Sequence, residues 1–133
     1  MSRIAFIFPG QGSQAIGMGK ELADAFPAAK AVFDEVDAAL GEKLSTLIWG
    51  GSIEELTLTA NAQPALMAVS LAASRALETA FGVKISTAAF VAGHSLGEYS
   101  ALAAAGALSV ADAAKLLRKR GRAMQAAAPA GTG

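Results

Sequence analysis

Fold and chemistry both turn on the stretch AAFVAGHSLGEYSALAAAG, residues 88–106. An apolar run, AAFVAG (88–93), enters Gly93-His94-Ser95-Leu96-Gly97, and a small-residue segment from Ser95 to Ala105 leaves it with helical character and stops at Gly106. Strand, Gly-x-Ser-x-Gly, helix is the order of a nucleophile elbow. The glycines have a steric purpose. The bend is so tight that side chains two places before and after the serine collide, and the serine backbone is driven toward strain. Such a bend lifts Ser95 Oγ out at a helix start, where free N–H groups and the helix dipole favour developing negative charge. The Leu96 N–H is the natural first donor to an oxyanion. The competing reading is a Gly-Ser turn that only caps a helix.

A serine nucleophile needs a base within about 3 Å of its oxygen. His94 is the only histidine in the chain. Adjacent side chains leave a tight turn in different directions, so His94 is expected to line the site or satisfy a local hydrogen bond rather than take the proton. The triad logic is unsatisfied within these residues.

Outward from the elbow, RIAFIF (3–8), stopped by Pro9 and Gly10, predicts a first buried strand. FPGQGSQAIGMGK follows as a glycine-rich loop. Gly10-x-Gly12-x-x-Ala15 matches a loose dinucleotide fingerprint, but the acidic residues some 20 positions on, Asp34 and Glu35, fall in a helical pattern. A phosphate-binding P-loop would need Gly where Gln14 stands and Ser or Thr where Glu21 stands. The better reading sets this loop beside the elbow, with the Gln11 N–H as second oxyanion donor.

Helical patterning runs from Lys20 to Leu40, with Pro27 opening a second helix after a break and Gly41 ending it. LSTLIWGGSIEELTLT reads as short helical pieces around Gly50-Gly51. Asn61 to Ala80 predicts a helix capped by Asn61, with Pro64 in its first turn and Gly82 after its end. Its apolar face is Leu66, Val69, Ala73, Leu77 and Ala80, opposite Ser70, Ser74 and Glu78. Ser109 caps a last helix with Asp112 three residues on. There Val110, Ala113, Ala114, Leu117, Gly121 and Met124 form one stripe, Lys115, Lys119 and Arg122 lie opposite, and Arg118 lies well off the stripe. Arg120 lies close to it, beside Ala113, Leu116 and Met124. An arginine so placed either snorkels out to water or meets a buried anion.

The chain has 133 residues, enough for one ordinary domain. Lys+Arg and Asp+Glu balance at 11 each, which leaves no electrostatic footprint for nucleic acid or an anionic membrane. Without cysteine there is no disulfide framework, thiolate metal site or Cys nucleophile, and no metal is expected. The N-terminal apolar run is too short for a signal or a span, so a cytoplasmic protein is expected. Two predicted strands about 80 residues apart do not make a stable sheet, because buried parallel strands need neighbours on both edges. The sequence therefore reads as an incomplete domain.

Together, FPGQGSQ, NAQPAL, GHSLGEYSAL and RGRAMQ, in that order, resemble the malonyl-CoA:acyl-carrier-protein transacylases of bacterial fatty acid synthesis, and they are similar too to the acyltransferase domains of polyketide synthases. The resemblance implies an α/β fold: residues 1–133 would be the N-terminal part of an α/β-hydrolase-like acyltransferase core, helix-rich with few parallel strands, lacking the family's ferredoxin-like subdomain and its C-terminal half. It implies that Ser95 is the nucleophile, that the N–H groups of Gln11 and Leu96 form the oxyanion hole, and that Arg120 pairs with the free carboxylate of malonate. It also places Gln63 near the site and His94 in its lining. The implied partners are malonyl-CoA, as a substrate rather than a cofactor, acyl carrier protein and the remainder of the enzyme. The family's catalytic histidine and a further glutamine lie in its second half and have no counterpart here. A polyketide synthase-type acyltransferase, a serine esterase or thioesterase, and a non-catalytic CoA- or nucleotide-binding fragment using GQGSQ are the alternatives.

Overall fold

The computed structural model describes residues 3–132. The elements are β1 (Ala5–Phe8), α1 (Lys20–Ala25), α2 (Pro27–Leu40), α3 (Leu44–Gly50), α4 (Ile53–Thr57), α5 (Thr59–Phe81), a 3-10 turn (Ile85–Thr87), β2 (Phe90–Gly93), α6 (Gly97–Ala104) and α7 (Val110–Ala127). β1 and β2 pair in parallel, Ala5 opposite Phe90 through Phe8 opposite Gly93. Ala89 N–H donates to Ile4 O at 2.8 Å and His94 N–H to Phe8 O at 3.1 Å, extending the ladder at both ends. The result is a helix-rich α/β arrangement with a small parallel sheet.

The helical punctuation follows the sequence closely. Phe26 breaks α1 from α2, Pro27 stands at the first position of α2, and Gly41 ends it with φ 67°. Ser109 Oγ accepts from the Asp112 N–H at 3.0 Å and caps α7. The core gathers Phe33, Val36, Ile48, Leu56, Met67, Leu71, Leu96 and Leu117, and α5 lies at its centre, packed by α2, α4, α6 and α7.

Three expectations need correction. The strands are not buried: Ile7 is 77% exposed and Phe90 66%. α6 packs against both strands, and Phe8 is buried and Phe6 and Val91 half-buried, whereas Ala5, Ile7, Phe90 and Ala92 are exposed. Asn61 does not cap α5. The Leu58 carbonyl accepts from both Asn61 and Ala62 N–H at 2.8 Å, which carries the helix back to Thr59, and Asn61 Nδ2 instead donates to Glu55 O at 2.9 Å. The expected apolar face of α5 also fails. Residues 62–68 are buried all round, Ser74 is buried, and Leu77 is 38% exposed, because a helix enclosed by four neighbours has no single core-facing stripe.

Candidate active site

The chain bends at Ser95, the one residue other than glycine with positive φ (55°) among the described residues. Left-handed backbone at a β-carbon residue is uncommon and strained, and persists only where its surroundings enforce it. They do so here. A Cβ on Gly93 would collide with the Gly97 carbonyl and the Glu98 nitrogen, and one on Gly97 would collide with the Phe8 carbonyl. α6 therefore begins at Gly97 rather than at Ser95, and Ser95 stands exposed before its first turn.

The loop after β1 lies against this bend. A Cβ on Gly10 would sit 2.7 Å from His94 Nδ1 and 2.8 Å from His94 O. Gln11 is tethered from its other side, with Nε2 donating to Thr59 Oγ1 at 3.2 Å and, at 3.4 Å, to Thr57 O. Further along, Gly17 N–H donates to Ile48 O at 2.8 Å and Trp49 Nε1 to Met18 O at 3.2 Å, fastening the loop to α3. Among the described residues neither the Gln11 nor the Leu96 N–H has a hydrogen-bond acceptor. Lys20 pairs with Asp24, and Asp34 and Glu35 lie exposed on α2 rather than at the end of a second strand, so the loop lacks both phosphate-binding contexts.

Arg120 reaches the serine from α7. Its Nη2 donates to Ser95 Oγ at 3.2 Å and its Nη1 to Gln63 Oε1 at 2.7 Å. Gln63 is 1% exposed, and its Nε2 points to Met124 Sδ at 3.3 Å. That donor fixes the amide so that its oxygen faces the guanidinium. The Arg120 guanidinium also stands 5.6 Å from the Tyr99 ring centroid, within cation–π range. Arg120 is half-buried and turned toward neutral partners, Gln63 and Ser95, and no anion pairs with it among the described residues.

Five of the six residues singled out in sequence thus converge through direct contacts or chain adjacency: Ser95, Leu96, His94, Arg120 and Gln63. The sixth, Gln11, joins through its loop. His94 is exposed, and among the described residues its ring makes no hydrogen bond to Ser95 Oγ. Sequence reasoning missed Tyr99, whose ring meets Arg120 from a separate helix. It missed Thr59, for which no local signal exists.

The acyl transferase domain family model matches residues 5–133. The chain belongs to this family. Among relatives of this acyl transferase chain, malonyl CoA-acyl carrier protein transacylase of Bacillus subtilis (strain 168) is 60% identical over 133 residues, covering 100% of this chain and 41% of that protein. The crystal structure of acyl-carrier-protein-S-malonyltransferase from Bartonella henselae superposes with a TM-score of 0.91 at 62% identity, over 95% of this chain and 40% of that one. A malonyl-transacylase solved in complex with its type II PKS acyl-carrier protein gives a TM-score of 0.88 at 44% identity, over 96% and 40%. The chain spans about two fifths of the length of these relatives.

Arg118, set off the stripe by the sequence, is in fact buried, whereas Met124 on the stripe is 42% exposed. Arg118 Nη1 donates to Ala60 O and to Asn61 Oδ1, both at 2.6 Å, and its Nη2 pairs with Glu42. Burial, and then the nearby Arg122 charge, hold its guanidinium below the usual arginine range, yet arginine starts so high that it stays charged at neutral pH.

Proposed function

We propose that this chain carries the nucleophile half of a malonyl-CoA:acyl-carrier-protein transacylase acting in fatty acid biosynthesis in the cytoplasm, on an α/β-hydrolase-like core of which residues 1–133 form the N-terminal part. The observation that carries the reading is the Arg120 guanidinium, bound to Gln63 Oε1 at 2.7 Å and to Ser95 Oγ at 3.2 Å. A cation held at the nucleophile suits an acyl group that brings its own carboxylate. An esterase for uncharged acyl groups has no use for it.

Ser95 Oγ attacks the thioester carbonyl of malonyl-CoA and gives its proton to a base. The tetrahedral oxyanion accepts from the Leu96 and Gln11 N–H groups, which have no other acceptor, and the α6 N-terminus adds its dipole. Collapse of the intermediate expels the CoA sulfur, which takes the proton back, and leaves malonyl esterified to Ser95. The phosphopantetheine thiol of acyl carrier protein then attacks that ester by the same steps. Arg120 holds the malonate carboxylate through two parallel N–H donors, a geometry that lysine cannot offer. With an acetyl group the half-buried cation stays unpaired, so the site selects malonyl. No cofactor is needed beyond the CoA thioester itself. His94 lines the site, and the base is a histidine from outside these residues.

Malonyl-CoA incubated with the complete enzyme is expected to leave a malonyl ester on Ser95, visible by intact mass, and none on the Ser95→Ala variant. Arg120→Ala is expected to lose malonyl transfer while keeping or gaining acetyl transfer. Residues 1–133 alone are expected to form the adduct slower by several orders of magnitude, for want of the base. Adduct formation by that segment at an ordinary enzyme rate overturns the reading.

A further inference from the structure

We propose that Arg118 is a positioning residue for acyl-group selection, seating α7 on the first turns of α5 and thereby setting where Arg120 and Gln63 meet Ser95. The inference rests on the reading above. Pro64 has no N–H, so the Ala60 carbonyl four residues earlier has no donor within α5. A carbonyl left open in a half-buried setting is costly, and Arg118 Nη1 fills it at 2.6 Å while also donating to Asn61 Oδ1. The other arm of the same guanidinium pairs with Glu42, between α2 and α3.

The neighbouring α7 residues meet the same turn of α5. A Cβ on Gly121 would lie 2.7 Å from both Ala60 Cα and Thr59 O, so the two backbones touch there. Gln125 Oε1 accepts from Ala60 N–H at 3.1 Å. Arg118, Gly121 and Gln125 therefore grip Thr59–Asn61 on both sides of Arg120 along the helix. Gln63, the partner of Arg120, stands one turn further along α5. A slide of α7 along α5 would break the Arg118 contacts and move Arg120 relative to Ser95 with them. Arg118 itself touches neither Ser95 nor Gln63. It would act only through the placement of its helix.

The test uses the complete enzyme and compares kcat/KM for malonyl-CoA with that for acetyl-CoA, beside the melting temperature. Arg118→Met keeps the length of the side chain and removes every donor. The malonyl-to-acetyl ratio is expected to fall about tenfold or more, chiefly through a raised KM for malonyl-CoA, since displacements near 1 Å at a reacting centre weigh that heavily. A lowered melting temperature with an unchanged ratio overturns the proposal, because a merely structural arginine does that. Should Arg118→Met fail to fold, Arg118→Lys decides. Lysine keeps the charge for Glu42 but cannot span Ala60, Asn61 and Glu42 together, so a lowered ratio supports the proposal and an unchanged one overturns it. If the unaltered enzyme shows no preference for malonyl, the functional reading fails and this inference with it. A preference that survives both substitutions sinks the inference alone.

Discussion

The helical body and the two-stranded sheet solve opposite problems. Around α5 the chain closes a core: Phe33, Ile48, Leu71 and Leu117 are each 1% exposed or less, and Asp37 inside it accepts from the Ser45 N–H at 3.0 Å, while Ser100 Oγ and Arg118 Nε are buried without a partner among the described residues. The sheet leaves Ile4, Ile7 and Phe90 more than half exposed and carries the strained serine at its end. The closed core lies in one region and the proposed chemistry in the other. Arg120 bridges them, rooted in α7 and reaching Ser95. Ile7 and Phe90, exposed on one face of the sheet, call for cover, and strain at Ser95 calls for a rigid support.

The contrast is broken most severely at the bend itself. Gly93→Val should abolish the Ser95 adduct and destabilise by more than about 4 kcal/mol, since the added carbons meet backbone that cannot yield. Adduct mass and urea unfolding check both parts. Within the helical body, Leu117→Ala should cost about 2–5 kcal/mol by leaving a cavity, with little change in acyl preference once folded. Ser109→Ala should cost about 1 kcal/mol through the lost α7 cap, seen as a shifted urea midpoint at constant slope. Ser95→Gly sharpens the comparison from the other side: activity vanishes while stability rises by up to about 1 kcal/mol as the left-handed strain is relieved. The smallest effect belongs to the open sheet. Ile7→Thr in residues 1–133 should shift stability by less than about 0.5 kcal/mol. A cost of about 2 kcal/mol or more in the complete enzyme would mean that this face is covered there.

Local signals were read well where they act locally. Pro27 and Gly41 bound α2, Gly82 ends α5 with φ 68°, and Ser109 caps α7, because each needs only its own backbone and a few neighbours. The elbow was legible in part for the same reason: Gly93 is required by a clash within five residues, whereas Gly97 is required by the Phe8 carbonyl of the neighbouring strand. Burial was read less well. Ile7 and Phe90 look like core residues in sequence, but burial depends on what packs against them. Arg118 looked peripheral on a helical wheel, yet the side that it occupies faces the Ala60 carbonyl that Pro64 leaves open, 58 residues away along the chain.

From sequence alone came the strained serine between its glycines, the absence of a second histidine and the family to which the motifs point, all of them properties of short stretches. Only the tertiary structure brought Arg120, Gln63 and Ser95 into one hydrogen-bonded chain and chose Arg118 as the anchor of α7. Those outcomes depend on how two helices cross, and a crossing is decided by close backbone approach and by carbonyls left without donors, quantities that no single segment contains.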